Sequence, residues 1–273
     1  MSVRQIKQIV KGIKTSDGAG VNLIRIIGSP ELDMLDPFLL LDEFGSDDPD
    51  DYIAGFPSHP HRGFETITYM LNGKFRHKDS AGNEGYITDG SVQWMTAGRG
   101  VIHSEMPEQT EGLARGFQLW LNLPRDKKMI DPAYNDIPVE KIPQVDFGGG
   151  QAKIIAGQFM GITGPGKPHT GMLYHDIYLD ENAHFEMPVE DGWNAFIYVY
   201  EGSVVLNQVL SKGMLAVFDQ SGDLKLQAAK ENSRFIVVSG EPLDEPVARG
   251  GPFVMNTREE VIQAFEDYQN GEL

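Results

Sequence analysis

An all-β fold of two tandem, duplicated β units with a short C-terminal helix is predicted by three features of the sequence. Short alternating strands are cut by turn residues, the same layout returns about 120 residues later, and helix signals are scarce. The length of 273 residues suits two cores better than one, since single cores stop growing near ~250–300 residues.

Each element can be read in order. Glu65 to Leu71 alternates and ends at Asn72-Gly73, a strong hairpin signal, after which Lys74 to Asp79 is expected to return alongside it. Asp89-Gly90 turns the chain into Ser91–Met95, and Thr96 to Gly100 turns it again before Val101–Glu105. Near the C-terminus, Thr257 is a capping residue with Glu260 at the reciprocal position of a capping box. Val261, Ile262, Phe265 and Tyr268 follow near helical spacing, so a helix over 258–269 is expected to dock by that stripe.

The repeat is traced by matching turns. Phe196–Gly202 mirrors the run ending at Gly73 with an offset of 129, and the Lys212-Gly213 turn mirrors Asp89-Gly90 with an offset of 123. Ser233–Val238 mirrors Arg115–Trp120 with an offset of 118. Small drifts of this kind are what loop-length changes in a duplicated β unit produce. The Pro-, Asp- and Gly-rich stretch 124–150 is the natural linker, which gives an N-terminal domain over 1–130 and a C-terminal domain over 131–273.

Composition narrows the function. The net charge of −17 leaves no general basic surface for a phosphate backbone, so direct nucleic-acid binding is not expected. No apolar run reaches the ~20 residues of a membrane span. The opening MSVRQIKQIVKGIK lacks an apolar core typical of an export signal, and a cytoplasmic location is expected. There is no cysteine, so any metal must be held by histidines and carboxylates.

Two short motifs supply such ligands. In His59-Pro60-His61 the residues two apart point to the same side of an extended segment, and Pro60 keeps that segment extended. His103-Ser104-Glu105 repeats the geometry with one imidazole and one carboxylate. A lone His-x-His is a weak signal, but two such pairs on facing strands would converge on one site of three nitrogens and one oxygen. That donor set suits one divalent transition metal, with Fe(II), Mn, Ni, Co, Cu and Zn all compatible.

The blocks HPHRGFET from His59, QWMTAGRG from Gln93 and HSEMP from His103 resemble the signature stretches of the pirin family. GFQLW from Gly116, GEP from Gly240 and GPFVMNT from Gly251 resemble later pirin blocks, so the likeness runs from about residue 20 to 268. The resemblance implies a bicupin whose N-terminal barrel binds iron through His59, His61, His103 and Glu105. It also implies a dioxygenase acting with O2 on a small aromatic substrate of the quercetin-like flavonol class, with Glu105 as the group that accepts the substrate's proton. A different role known in the family is regulatory, through a protein partner and without turnover. Glu65 occupies the carboxylate position of the standard first cupin motif, and its parity with Ile67, Tyr69 and Leu71 suggests a buried residue near the metal but not a ligand.

The other histidines read as structural. His77 shares parity with Phe75 and fits a hydrogen-bonded core or rim residue, while His169, His175 and His184 show no paired spacing. The repeat offsets carry the ligand positions onto Pro188, Glu190, Leu226 and Ala228, so no second metal is expected. Phe56, Trp94, Met95, Phe117 and Trp120 are candidates for the wall of an aromatic pocket.

Overall fold

The first strand, β1 (Ile6–Lys11), leaves the N-terminal half and pairs with the strand Met214–Phe218. That exchange sets how the chain divides in the computed structural model, which describes residues 2–229 and 231–273. One compact unit comprises Ile13–Gly28, Pro37–Val139 and Leu243–Leu273. The other comprises the residues up to Gly12, Ser29–Asp36 and Glu140–Pro242. These compact units interleave along the chain, with the segments up to Gly12 and from Leu243 on the far side of the expected division into 1–130 and 131–273. Alternating hydrophobicity marks a strand but carries no information on which sheet an edge strand joins.

The site-bearing unit is built from β2 (Ile13–Asp17), β3 (Val21–Ile27), β4 (Phe38–Ser46), β5 (Phe56–His61), β6 (Phe64–Asn72) and β7 (Phe75–Asp79). It continues with β8 (Glu84–Ile87), β9 (Val92–Thr96), β10 (Val101–Pro107), β11 (Ala114–Asn122) and β12 (Ala133–Ile137). One sheet has the order β12-β9-β6-β11-β4-β3-β2, and the other has the order β5-β10-β7-β8. From β4 to β7 and again from β8 to β11 each successive strand switches sheets, as in a double-stranded β-helix. The turn at Asn72-Gly73 does not close a hairpin as expected: β6 pairs with β9 and β11, while β7 pairs with β8 and β10. Gly73 has φ 107° but Asn72 keeps a negative φ, and a two-residue type I′ hairpin needs both positive.

The second unit repeats the topology. Its larger sheet runs from β1 through Met214–Phe218, Asn194–Glu201, Ser233–Gly240 and Met172–Leu179 to Gly150–Ala156 and Gln144–Phe147. Strand for strand this matches β12-β9-β6-β11-β4-β3-β2, so the internal duplication holds. The one asymmetry is that the outer strand comes from after its barrel in one unit and from before it in the other.

A buried cation closes the site-bearing unit. The Lys128 ammonium donates to Gly63 O at 2.8 Å, to Asn122 Oδ1 at 2.7 Å and to Val254 O at 3.0 Å. Burial pulls its pKa down to about 8. Gly63 has φ 90°, and a Cβ there would collide with the Val254 carbonyl, so this close approach requires glycine. The segment then enters α1 (Arg258–Asn270), where the capping box is formed as expected: Thr257 accepts from the Glu260 amide, and Glu260 accepts from the Thr257 amide. Val261 and Ala264 are buried, and Phe265 packs edge-on against Phe253, while Ile262 stays exposed. No helix among the described residues is long and apolar enough to cross a membrane.

Candidate metal centre

β5 and β10 run antiparallel with His59 opposite His103 and His61 opposite Val101. Between His103 and Glu105 the register shifts, so that Glu105 faces Phe56. Pro57 and Ser58 on β5 answer the single Ser104 on β10, a bulge. Pro57 has no N–H to contribute to the ladder, and the bulge turns both His59 and Phe56 toward the same cavity.

The result is a tight cluster. Ligand atoms of His59, His61 and His103 lie within 4.8 Å of one another, and it is the group of this kind found among the described residues. The Nε2 atoms of His59 and His61 are 3.0 Å apart. His61 and His103 are buried, and burial first, then the neighbouring imidazoles, holds both well below the usual histidine range. They are neutral at pH 7, the form in which imidazole binds a metal. Both ring nitrogens of the buried His103 lack a hydrogen-bond partner. Buried polar atoms are nearly always satisfied, so converging unsatisfied nitrogens fit a cation as their intended partner.

Glu105 is buried on the same strand and lines the same cavity, but it is outside the three-histidine group. Its Oε1 accepts from the Thr68 hydroxyl at 3.1 Å. Burial raises its pKa, opposed by the nearby His59. Glu65 is also fully buried, but the expectation that it lies near the metal is corrected. β6 is buried on both faces, and Glu65 points to the side opposite Thr68, accepting from the Thr96 hydroxyl at 2.7 Å.

The cavity has a volume of about 610 Å3. Leu23, Phe44, Phe56 and Phe75 form an apolar wall, and Arg25, Asp42 and Arg249 form a polar side. Arg25 grips Asp42 through two contacts of 2.8 and 3.0 Å. Burial nevertheless lifts the Asp42 pKa to about 6. Trp120 stacks near Phe64, meets His61 edge-on at 5.2 Å, and carries the Arg249 guanidinium 5.1 Å from its ring centre. Of the five aromatic-wall candidates, Phe56 and Trp120 line the cavity and Trp94, Met95 and Phe117 do not. On β11 the inward positions are Gln118 and Trp120, which puts Phe117 on the other face. Thr68, Gln118 and Asp42 were not singled out by sequence. Their signal was a polar residue at an inward position of an otherwise buried strand.

His77 is a hydrogen-bonded interior residue as expected, 3.0 Å from Asp136 Oδ2 and stacked on Tyr134. His175 is buried in the second unit, where Phe185, Met187, Leu224 and Leu226 occupy strands equivalent to β5 and β10.

Two tandem double-stranded β-helices, one with a three-histidine cluster opening on a cavity, define a bicupin with a candidate metal centre. Residues 20–121 match the family model described as Pirin, and residues 174–273 match the Pirin C-terminal cupin domain. The chain belongs to the pirin family. It is 49% identical to a pirin-like protein of Caulobacter vibrioides, over 99% of both chains. It is 46% identical to a Pseudomonas aeruginosa protein provisionally named a quercetin 2,3-dioxygenase, over 99% of this chain and 98% of the other. A solved structure of quercetin 2,3-dioxygenase from Acinetobacter baumannii superimposes with a TM-score of 0.93 at 33% identity, covering 99% of this chain and 98% of that one.

Proposed function

We propose that this chain is an Fe(II)-dependent dioxygenase that cleaves the heterocycle of quercetin-like flavonols with O2, releasing carbon monoxide. The observation that carries the reading is the three-histidine group with its unsatisfied nitrogens, placed at an aromatic-walled cavity of about 610 Å3, large enough for the three rings of a flavonol. The likeness to proteins named as quercetin 2,3-dioxygenases supports the substrate class.

In this reading His59, His61 and His103 hold the ion as neutral ligands, with Glu105 completing the set. A bound divalent ion would supply Lewis acidity toward the flavonol 3-oxygen and a redox centre for O2. The chain's own residues do the rest. Phe44, Phe56 and Phe75 bury the rings and exclude water from the oxidisable enolate. The Glu105 carboxylate takes the proton of the 3-hydroxyl, and Thr68 holds that carboxylate in place.

The test is oxygen uptake by Fe(II)-loaded protein across a flavonol panel, with carbon monoxide measured in the headspace. Matched O2 consumption and CO release are expected for flavonols and not for flavones, which lack the 3-hydroxyl. Full metal loading with no uptake on any flavonol would sink the enzymatic reading and leave the family's regulatory role as the alternative.

A further inference from the structure

A second polar assembly lies in the same barrel on the side of Glu105 away from the apolar wall. Thr68 on β6 stands directly opposite Gln93 on β9, and Gln93 directly opposite Asp136 on β12. Directly paired residues share a face of the sheet, and Thr68 faces the barrel interior, so Gln93 and Asp136 face it too. Asp136 bonds His77 on the other sheet at 3.0 Å, and His77 stands opposite Glu105 across the β7–β10 ladder. Thr68 then returns to Glu105 at 3.1 Å. The five residues make a circuit of neighbours spanning both sheets, joined by hydrogen bonds at Asp136–His77 and Thr68–Glu105 and by cross-strand adjacency at the other steps.

Polar atoms facing this circuit are unsatisfied. Both amide atoms of the fully buried Gln93, Nδ1 of His77, the Tyr134 hydroxyl and Oγ1 of the fully buried Thr66 have no partner. Amides are rarely left this way in a barrel that could have used leucine. The Thr68 hydroxyl carries one proton, yet both Glu105 and the Gln118 carbonyl lie within its reach. An amide-flipped Gln118 donates to Thr68 and leaves the Thr68 proton for Glu105.

We propose that Thr68, Gln93, Asp136 and His77 form a positioning ring that aims the Glu105 carboxylate at the three histidines. The inference rests on Glu105 being the fourth ligand. Metal-free protein is titrated with Co(II), reading both the dissociation constant and the visible d–d spectrum, with thermal melting as the check on folding. Thr68→Val and Gln93→Met are expected to weaken Co(II) binding about 10- to 100-fold and to shift the spectrum in the same direction. Thr68→Ser, which keeps the hydroxyl, restores wild-type behaviour, and the Thr68→Val/Gln93→Met double variant loses no more than the weaker-binding single variant. Asp136→Ala, whose side chain is 42% exposed, perturbs the core least and is expected to shift the spectrum the same way. Unchanged affinity and spectrum in both Gln93→Met and Asp136→Ala would overturn the ring, as would additive losses in the double variant. Glu105→Ala separates the two ideas. If it leaves Co(II) binding untouched, the ligand reading itself has failed; if it weakens binding while the ring variants do not, only the ring has.

Discussion

His59 and His103 sit directly opposite each other on neighbouring antiparallel strands, with ring centroids 4.4 Å apart. That register turns two separate His-x-X motifs into one site, because His61 and Glu105 are carried to the same region by period-two geometry. Among the described residues only this barrel holds such a group, so metal analysis should find close to one transition-metal ion per chain. His61→Ala or His103→Ala should abolish that content with little change in circular dichroism. A stoichiometry near two would contradict the apolar filling of the second unit by Phe185, Met187, Leu224 and Leu226.

The two buried carboxylates should separate cleanly. Glu105→Gln keeps a neutral oxygen that can still coordinate, so much of the metal should remain, while flavonol turnover per bound metal falls by about 10²-fold or more. Glu65→Gln acts on the opposite face, where Thr96 donates to the carboxylate. It should leave metal content and turnover per metal near wild type and lower stability by about 1–3 kcal/mol, the size of a buried polar group left unsatisfied. Thermal melts and metal-normalised kinetics of both variants check this, and abolished metal binding in Glu65→Gln would reverse the assignment.

His175 gives a pH test independent of the metal. It is fully buried in the second unit, its Nδ1 lies 3.3 Å from the Met187 sulfur, and burial lowers its pKa to about 4. Below the unfolded value near 6.5 the unfolded chain takes up a proton that the folded chain refuses. The stability contributed by this group is therefore present above pH 6.5 and lost as pH falls toward 4. Between pH 7 and 5 the loss is about 2 kcal/mol. Urea unfolding at the two pH values should show that difference shrink in His175→Phe, and an equal drop in wild type and variant would show that His175 does not carry it.

Duplex DNA should bind weakly if at all at physiological salt, because a net charge of −17 opposes the phosphate backbone. Fluorescence anisotropy with a labelled duplex checks this. A sub-micromolar, strongly salt-dependent dissociation constant would run against it.

What the sequence made legible was local. The two His-x-X motifs, the capping box at Thr257 and Glu260, and the repeat all rest on spacing within a few residues or on recurrence, and each has its counterpart in the structure. What it hid was partnership between strands. β6 is buried on both faces, so the parity of Glu65 with Ile67 and Tyr69 could not distinguish the cavity side from the far side. The Asn72-Gly73 turn had hairpin chemistry but crosses between sheets, and β1 gave no sign that it would pair with Met214–Phe218. Thr68, Gln93 and Asp136 lie on three different strands, and only the register of the sheet brings them into one row.

The central claim is that one ion sits among His59, His61, His103 and Glu105, and anomalous diffraction from Fe(II)-loaded crystals tests it most directly. The expected result is a single anomalous peak per chain, about 2.0–2.3 Å from one nitrogen of each histidine and from a Glu105 oxygen, as for first-row ions on such ligands. A peak elsewhere, a second peak in the other unit, or an ion bound by the three histidines with Glu105 turned away would contradict it.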